Sequence, residues 1–245
     1  MANWNDPQPT KTGFGASPSL NGEIIGSRAQ YDMGLRKHML SIYNYMASGV
    51  LLSGIVALLF ASSGMAATVM MTPLKWVIAL APLGFVFGMS MGLHRMSQGT
   101  LQALFWAFCV VMGLSLSTIF LVFTASSIAS TFFATAAAFA GLSLYGYTTK
   151  RVLSGMGSFM VMGLFGIIIA MVINIFLQST ALQLAISVLG VVIFAGLTAW
   201  DTQRLKEEYY HLAGTEFAGK AVIMGALSLY LDFINMFQFL DRKSV

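Results

Sequence analysis

Charge is the scarcest property of this chain. Asp, Glu, Lys and Arg make up 9% of its 245 residues, while hydrophobic residues make up 57% and the mean hydropathy is +0.78. So few charges cannot clothe a soluble surface, which leaves the membrane class. Cysteine is almost absent: Cys109 stands alone in an apolar run, which excludes a disulfide framework and a thiolate metal site and leaves a small core residue. No nucleotide-binding loop, His-Glu-x-x-His pair or EF-hand loop occurs. No paired nucleophile and base is visible, so an enzyme is not expected. Lysine is missing from Ala221–Leu240, which argues against a retinal Schiff base. His38, His94 and His211 have no close acidic partners, and we read them as solvated or interfacial.

What is present is a series of long apolar runs. A helix crossing about 30 Å of hydrocarbon needs about 20 such residues. Seven segments qualify: 42–60, 76–93, 101–123, 128–147, 159–177, 181–200 and 221–240. Their connections are short, so the expectation is an all-α integral membrane protein, a seven-helix bundle over 36–245. Residues 1–35 are polar, with Pro7, Pro9 and Pro18, and read as a disordered cytoplasmic tail without the apolar core of a signal peptide.

The thirteen Lys and Arg fall between these runs, as topology signals do, and form no nucleic-acid-binding face. With the N-terminus inside, ten lie on the cytoplasmic side. Only Lys75, Arg242 and Lys243 lie outside. The basic C-terminus leaves one alternative open, six spans with a re-entrant last helix. Trp76, Trp200, Tyr145, Tyr147, Tyr209 and Tyr210 sit near span ends as interfacial anchors. Gly84, Gly88 and Gly92 recur every four residues in the second span; this reads as close helix contact or as the ordinary abundance of glycine in membrane helices.

Within the runs, one ionisable residue cannot be excused by hydropathy. Asp232 lies mid-span, and helical spacing puts Gly225, Ser228, Asp232 and Asn235 on one stripe, opposite Leu227, Leu231 and Ile234. A carboxyl in hydrocarbon costs several kcal/mol, so the stripe is expected to face the bundle interior, as functional site or as hydrogen-bonded glue. Asp201 follows Trp200 at the end of the sixth span. It either pairs with Arg204 three residues on or, if the helix continues past Glu207, approaches Asp232; in the second case the two would titrate as a coupled pair. Arg95 either snorkels to headgroups or turns inward to neutralise an aspartate. Asn174 is expected to hydrogen-bond within the bundle.

Three segments carry a resemblance. Ser143–Arg151 (Ser-Leu-Tyr-Gly-Tyr-Thr-Thr-Lys-Arg), Val172–Phe176 and Ala226–Asn235 (Ala-Leu-Ser-Leu-Tyr-Leu-Asp-Phe-Ile-Asn) resemble the transmembrane Bax inhibitor motif family, most closely its bacterial YccA-type members. The similarity runs from about Tyr31 onward. It implies a seven-helix bundle with the last helix central and a pH-sensitive calcium leak in the inner membrane. It further implies that Asp201 and Asp232 form a hydrogen-bonded sensor within reach of Arg95; Ser228, Asn235 and Asn174 are the supporting polar groups expected from their places in the spans. Calcium would be a permeant or weakly bound ion at the two aspartates, and no cofactor is implied. The alternative that it implies is modulation of a membrane-bound FtsH-type protease, with the polar tail offered to that partner. Two departures stand out: no acid lies in Leu80–Gly92, where some members have a glutamate, and Val152 follows Arg151 where an acid is common.

Overall fold

The computed structural model describes residues 19–241, with side chains from Met33 onward. Of the expected tail, residues 1–18 lie outside the described residues, and the backbone from Ser19 on is helical. By contact the chain divides into two units, Met1–Lys37 and His38–Val245, and the second holds everything that follows. Nine helices are described in order: α1 (Ser19–Ser62), α2 (Met65–Met70), α3 (Leu74–Gly92), α4 (Gln98–Leu116), α5 (Ile119–Val122), α6 (Ala125–Thr148), α7 (Ser154–Leu177), α8 (Thr180–Leu212) and α9 (Ala218–Asp241). Seven spans are long and apolar enough to cross a membrane, the third made of α4 and α5 together. The last is an unbroken helix of 24 residues, about 36 Å at 1.5 Å per residue. That length suits a full crossing better than a re-entrant loop.

Sequence chemistry fixes the helix starts. Ser97, Thr124 and Ser179 each accept a hydrogen bond from the backbone N–H three residues on, capping α4, α6 and α8. In α3, Pro82 is carried inside a span, as membrane helices tolerate.

The last helix is the centre of the bundle. In α9, 67% of the most apolar window is buried, against 6–33% in the other spans. Leu227 and Ile234, on the apolar side opposite the polar stripe, are buried as well, so that side meets neighbouring helices. Its most extensive partner is α8, and α6 and α4 also pack on it. Tyr230 is fully buried between Phe105 and Phe108, its hydroxyl 2.6 Å from Ser53 Oγ. Ser53 lies within reach of the Cys109 and Gly49 carbonyls and has one proton to donate, so the Tyr230 hydroxyl is the donor to Ser53. One polar knot thus joins α1, α4 and α9.

Glycine mediates close contact, though not where the spacing suggests. A Cβ at Gly84 or Gly88 would meet nothing within 4 Å, and at Gly92 only the chain's own Met96. The face of α3 that bears them looks away from the bundle. Close approach occurs instead at Gly49 and Gly113 between α1 and α4, at Gly146 against the Ala199 carbonyl of α8, and at Gly157 under the Trp200 ring. Trp200 is therefore a packing residue of the α7–α8 contact, and it stands within α8, which runs on to Leu212, and not at a helix end.

The contrast gives a prediction. Gly146→Ala forces a methyl onto backbone that cannot give, so it should destabilise the protein by about 1–3 kcal/mol, whereas Gly88→Ala should be neutral. Thermal unfolding of both variants in detergent checks this, and equal melting temperatures would refute the α6–α8 approach.

Candidate functional site: a carboxyl pair between the last two helices

Asp232 stands midway along α9 and Asp201 eleven residues before the end of α8. Each is 5% exposed. The helix continues past Glu207 to Leu212, so Asp201 is an interior residue and not one at a helix terminus. The tight α8–α9 packing brings the two carboxyl groups close enough for one to hydrogen-bond to the other. A hydrogen bond between two carboxyls needs a proton between them, because an ionised carboxylate only accepts.

Further groups complete the site. The Ser228 hydroxyl donates to Asp201 Oδ2 at 2.9 Å, and Arg204 Nη2 donates to Ser228 Oγ at 3.1 Å. Arg204 Nη2 also lies 3.0 Å from Asp201 Oδ1, an ion pair by distance without hydrogen-bond alignment. Its guanidinium rests over the Trp200 ring, 4.9 Å from the centroid. Both partners foreseen for Asp201 are therefore present together: Arg204 on its own helix and Asp232 on the next. Asp232 Oδ2 is buried and receives no donor from the described residues.

The other candidates lie elsewhere. Arg95 is exposed in the turn after α3, with no ion pair among the described residues, and Arg204 holds the counter-ion position instead. The Asn235 amide donates to the Leu231 carbonyl of its own helix at 2.8 Å. Asn174 ties the α7–α8 turn, donating to Gln183 Oε1 at 3.0 Å and accepting from the Ser179 backbone at 3.1 Å. His38, read as solvated or interfacial, is buried, its ring tilted against that of Tyr209 with centres 5.1 Å apart.

Some polar groups escaped the sequence reading. Tyr43, Ser143 and Thr202 form a hydroxyl chain across α1, α6 and α8 at 2.6 and 2.9 Å, beside Asp201. Ser143 opens one of the three resemblance segments, which was the available signal. Asp241, just past the expected end of the last span, is 2% exposed and lies beside Thr131 of α6. Among the described residues no three His, Cys, Asp or Glu gather as a metal site. Two carboxyls and one hydroxyl fall well short of the six to eight oxygens of a calcium cage.

Comparison with known proteins fits this geometry. The family described as inhibitor of apoptosis-promoting Bax1 matches residues 35–242. The chain belongs to this family. Among relatives of this Bax inhibitor protein, RP147 of Rickettsia prowazekii is 46% identical over 213 residues, covering 86% of this chain and 90% of its own. The inner membrane protein YbhL of Escherichia coli K12 is 44% identical over 213 residues, 85% of this chain and 91% of YbhL. The membrane protein SpyM3_0260 of Streptococcus pyogenes is 34% identical over 222 residues, 89% and 95% of the two chains. With seven spanning helices and this kinship, the chain is a multi-pass membrane protein of the Bax inhibitor family.

Ser228 gives the site a direct check. Ser228→Ala leaves Asp201 Oδ2 without its donor and Arg204 without one acceptor, an expected loss of about 1–3 kcal/mol. Ser228→Thr, which keeps the hydroxyl, should lose less. Melting temperatures at one fixed pH distinguish them; an unchanged alanine variant would show that the bond carries no weight.

Proposed function

We propose that this Bax inhibitor family member is a pH-gated calcium leak of the bacterial inner membrane, N-terminus inside, with the Asp201–Asp232 contact as its latch. One observation supports this reading above the others: two buried carboxyl groups meet across the contact between α8 and the central α9. With one proton between them they bind the helices together. With none, two negative charges oppose each other in a medium that screens them poorly. The charged groups acting on the pair are the aspartates themselves and Arg204, which can balance one negative charge but not both. Loss of the proton therefore favours a second packing of α8 against α9, and pH biases two states. The inner-membrane assignment follows YbhL, and the orientation follows the ten-to-three distribution of basic residues.

The sign is definite. The contact holds at low pH and loosens as pH rises, because the bond consumes one proton. In Asp232→Asn the amide donates to the Asp201 carboxylate with no titrating proton, so the contact persists at every pH. Calcium flux into proteoliposomes should vary by up to about tenfold per pH unit in the wild type, the limit for a one-proton switch. In Asp232→Asn it should stay at the acid-side level. If the variant keeps both the wild-type leak and its pH dependence, the latch is refuted.

A further inference from the structure

Apart from the carboxyl pair, a free space opens at the end of the bundle where α3 begins and α4 and α9 finish. It is a cavity of about 230 Å³. Four lining side chains carry hydrogen-bond donors; Thr118 gives its own to the Ser115 carbonyl at 3.3 Å, which leaves three: Lys75 at the start of α3, Ser115 near the end of α4 and Gln238 of α9. None makes a side-chain hydrogen bond or ion pair among the described residues, although Lys75 Nζ lies 5.8 Å from the Trp76 ring centre. The rest of the wall includes Ile78, Leu116 and Ile119, and among the described residues no Asp or Glu lines it.

We infer that this cavity seats the phosphodiester headgroup of an anionic phospholipid. Charge comes first: one lysine and no acid match a group with one negative charge, and the free Ser115 hydroxyl and Gln238 amide can donate to the phosphate oxygens. Depth agrees. Lys75 and the exposed Trp76 open an apolar span, which is where cationic and aromatic side chains meet headgroups. Size agrees as well, because the volume is below that of drug-sized pockets and admits a headgroup but not a whole lipid. The acyl chains have a place to run: α3 is only 11% buried over its apolar window, and the side chains of Leu80, Leu83 and Phe87 are exposed along it. A free inorganic phosphate carries up to two charges against one lysine and gains nothing from the apolar wall. The lipid is the better match.

Native mass spectrometry of the full chain in neutral detergent tests this with phosphatidylglycerol and phosphatidylcholine at equal concentration. The wild type should retain phosphatidylglycerol about five-fold over phosphatidylcholine, the effect of one basic residue on an anionic lipid. Lys75→Gln should abolish that preference, Lys75→Arg should keep it, and Lys150→Gln, at a distant basic position, should leave it intact. Retention of the wild-type preference by Lys75→Gln overturns the site, as does a wild type that shows none. Displacement of the lipid by an equal concentration of inorganic phosphate would make it a free-anion site and overturn the lipid assignment. Unchanged melting of Lys75→Gln would exclude misfolding as the cause of a loss.

Discussion

A carboxyl group surrounded by hydrocarbon must find a partner or cost its helix several kcal/mol, and the placement of α9 depends on this constraint. α9 is the most buried span, and Asp232 near its middle is enclosed by neighbouring helices. The partner has to come from a neighbouring helix. α8 supplies it in Asp201, and for the two to meet the helices must pack closely along their length. Gly190 against Phe239 and Gly225 against Leu205 are where that closeness is achieved. The same contact that satisfies the polar groups thus fixes the register of the last two helices.

Around this pair the bundle uses few polar bonds between helices. Ser53 and Tyr230 connect α1, α4 and α9, and Ser143 connects α1 to α8. Gln203 reaches into the α6–α7 connection, donating to the Arg151 carbonyl and accepting from the Leu153 backbone. In a bilayer, lipid tails are as apolar as leucine, so hydrophobicity does not choose between helix neighbours. Close-packed glycines and these few hydrogen bonds do so instead.

Much of this was legible in the sequence, because hydrocarbon thickness imposes a strict length on every span. Five of the seven runs stand within about five residues of the helices; the first begins nine residues late against a span that starts at Met33, and the sixth stops early. There the charges at Asp201, Arg204, Lys206, Glu207 and Glu208 end the apolar pattern while the helix continues to Leu212. Hydropathy reads solvent, and α8 passes through more than one solvent. Asp232 was marked by its place alone, whereas its contact with Asp201 needed the resemblance or the structure. The choice between Arg204 and Arg95 as counter-ion was not readable, since it depends on which arginine the helix packing turns inward. The α3 glycines misled for a related reason: a small-residue period shows that a face could pack closely, not that a neighbour lies on it.

The length of α8 has a mechanical meaning. Its 33 residues make about 50 Å of helix, against about 30 Å of hydrocarbon. Asp201 therefore sits partway along a rigid rod, with about 16 Å of rod between it and the end at Leu212. A small tilt about the buried carboxyls would be magnified along that arm, swinging the segment that carries Lys206, Glu207 and Glu208. A change of one proton deep in the bundle would then be legible as a displacement at the membrane surface.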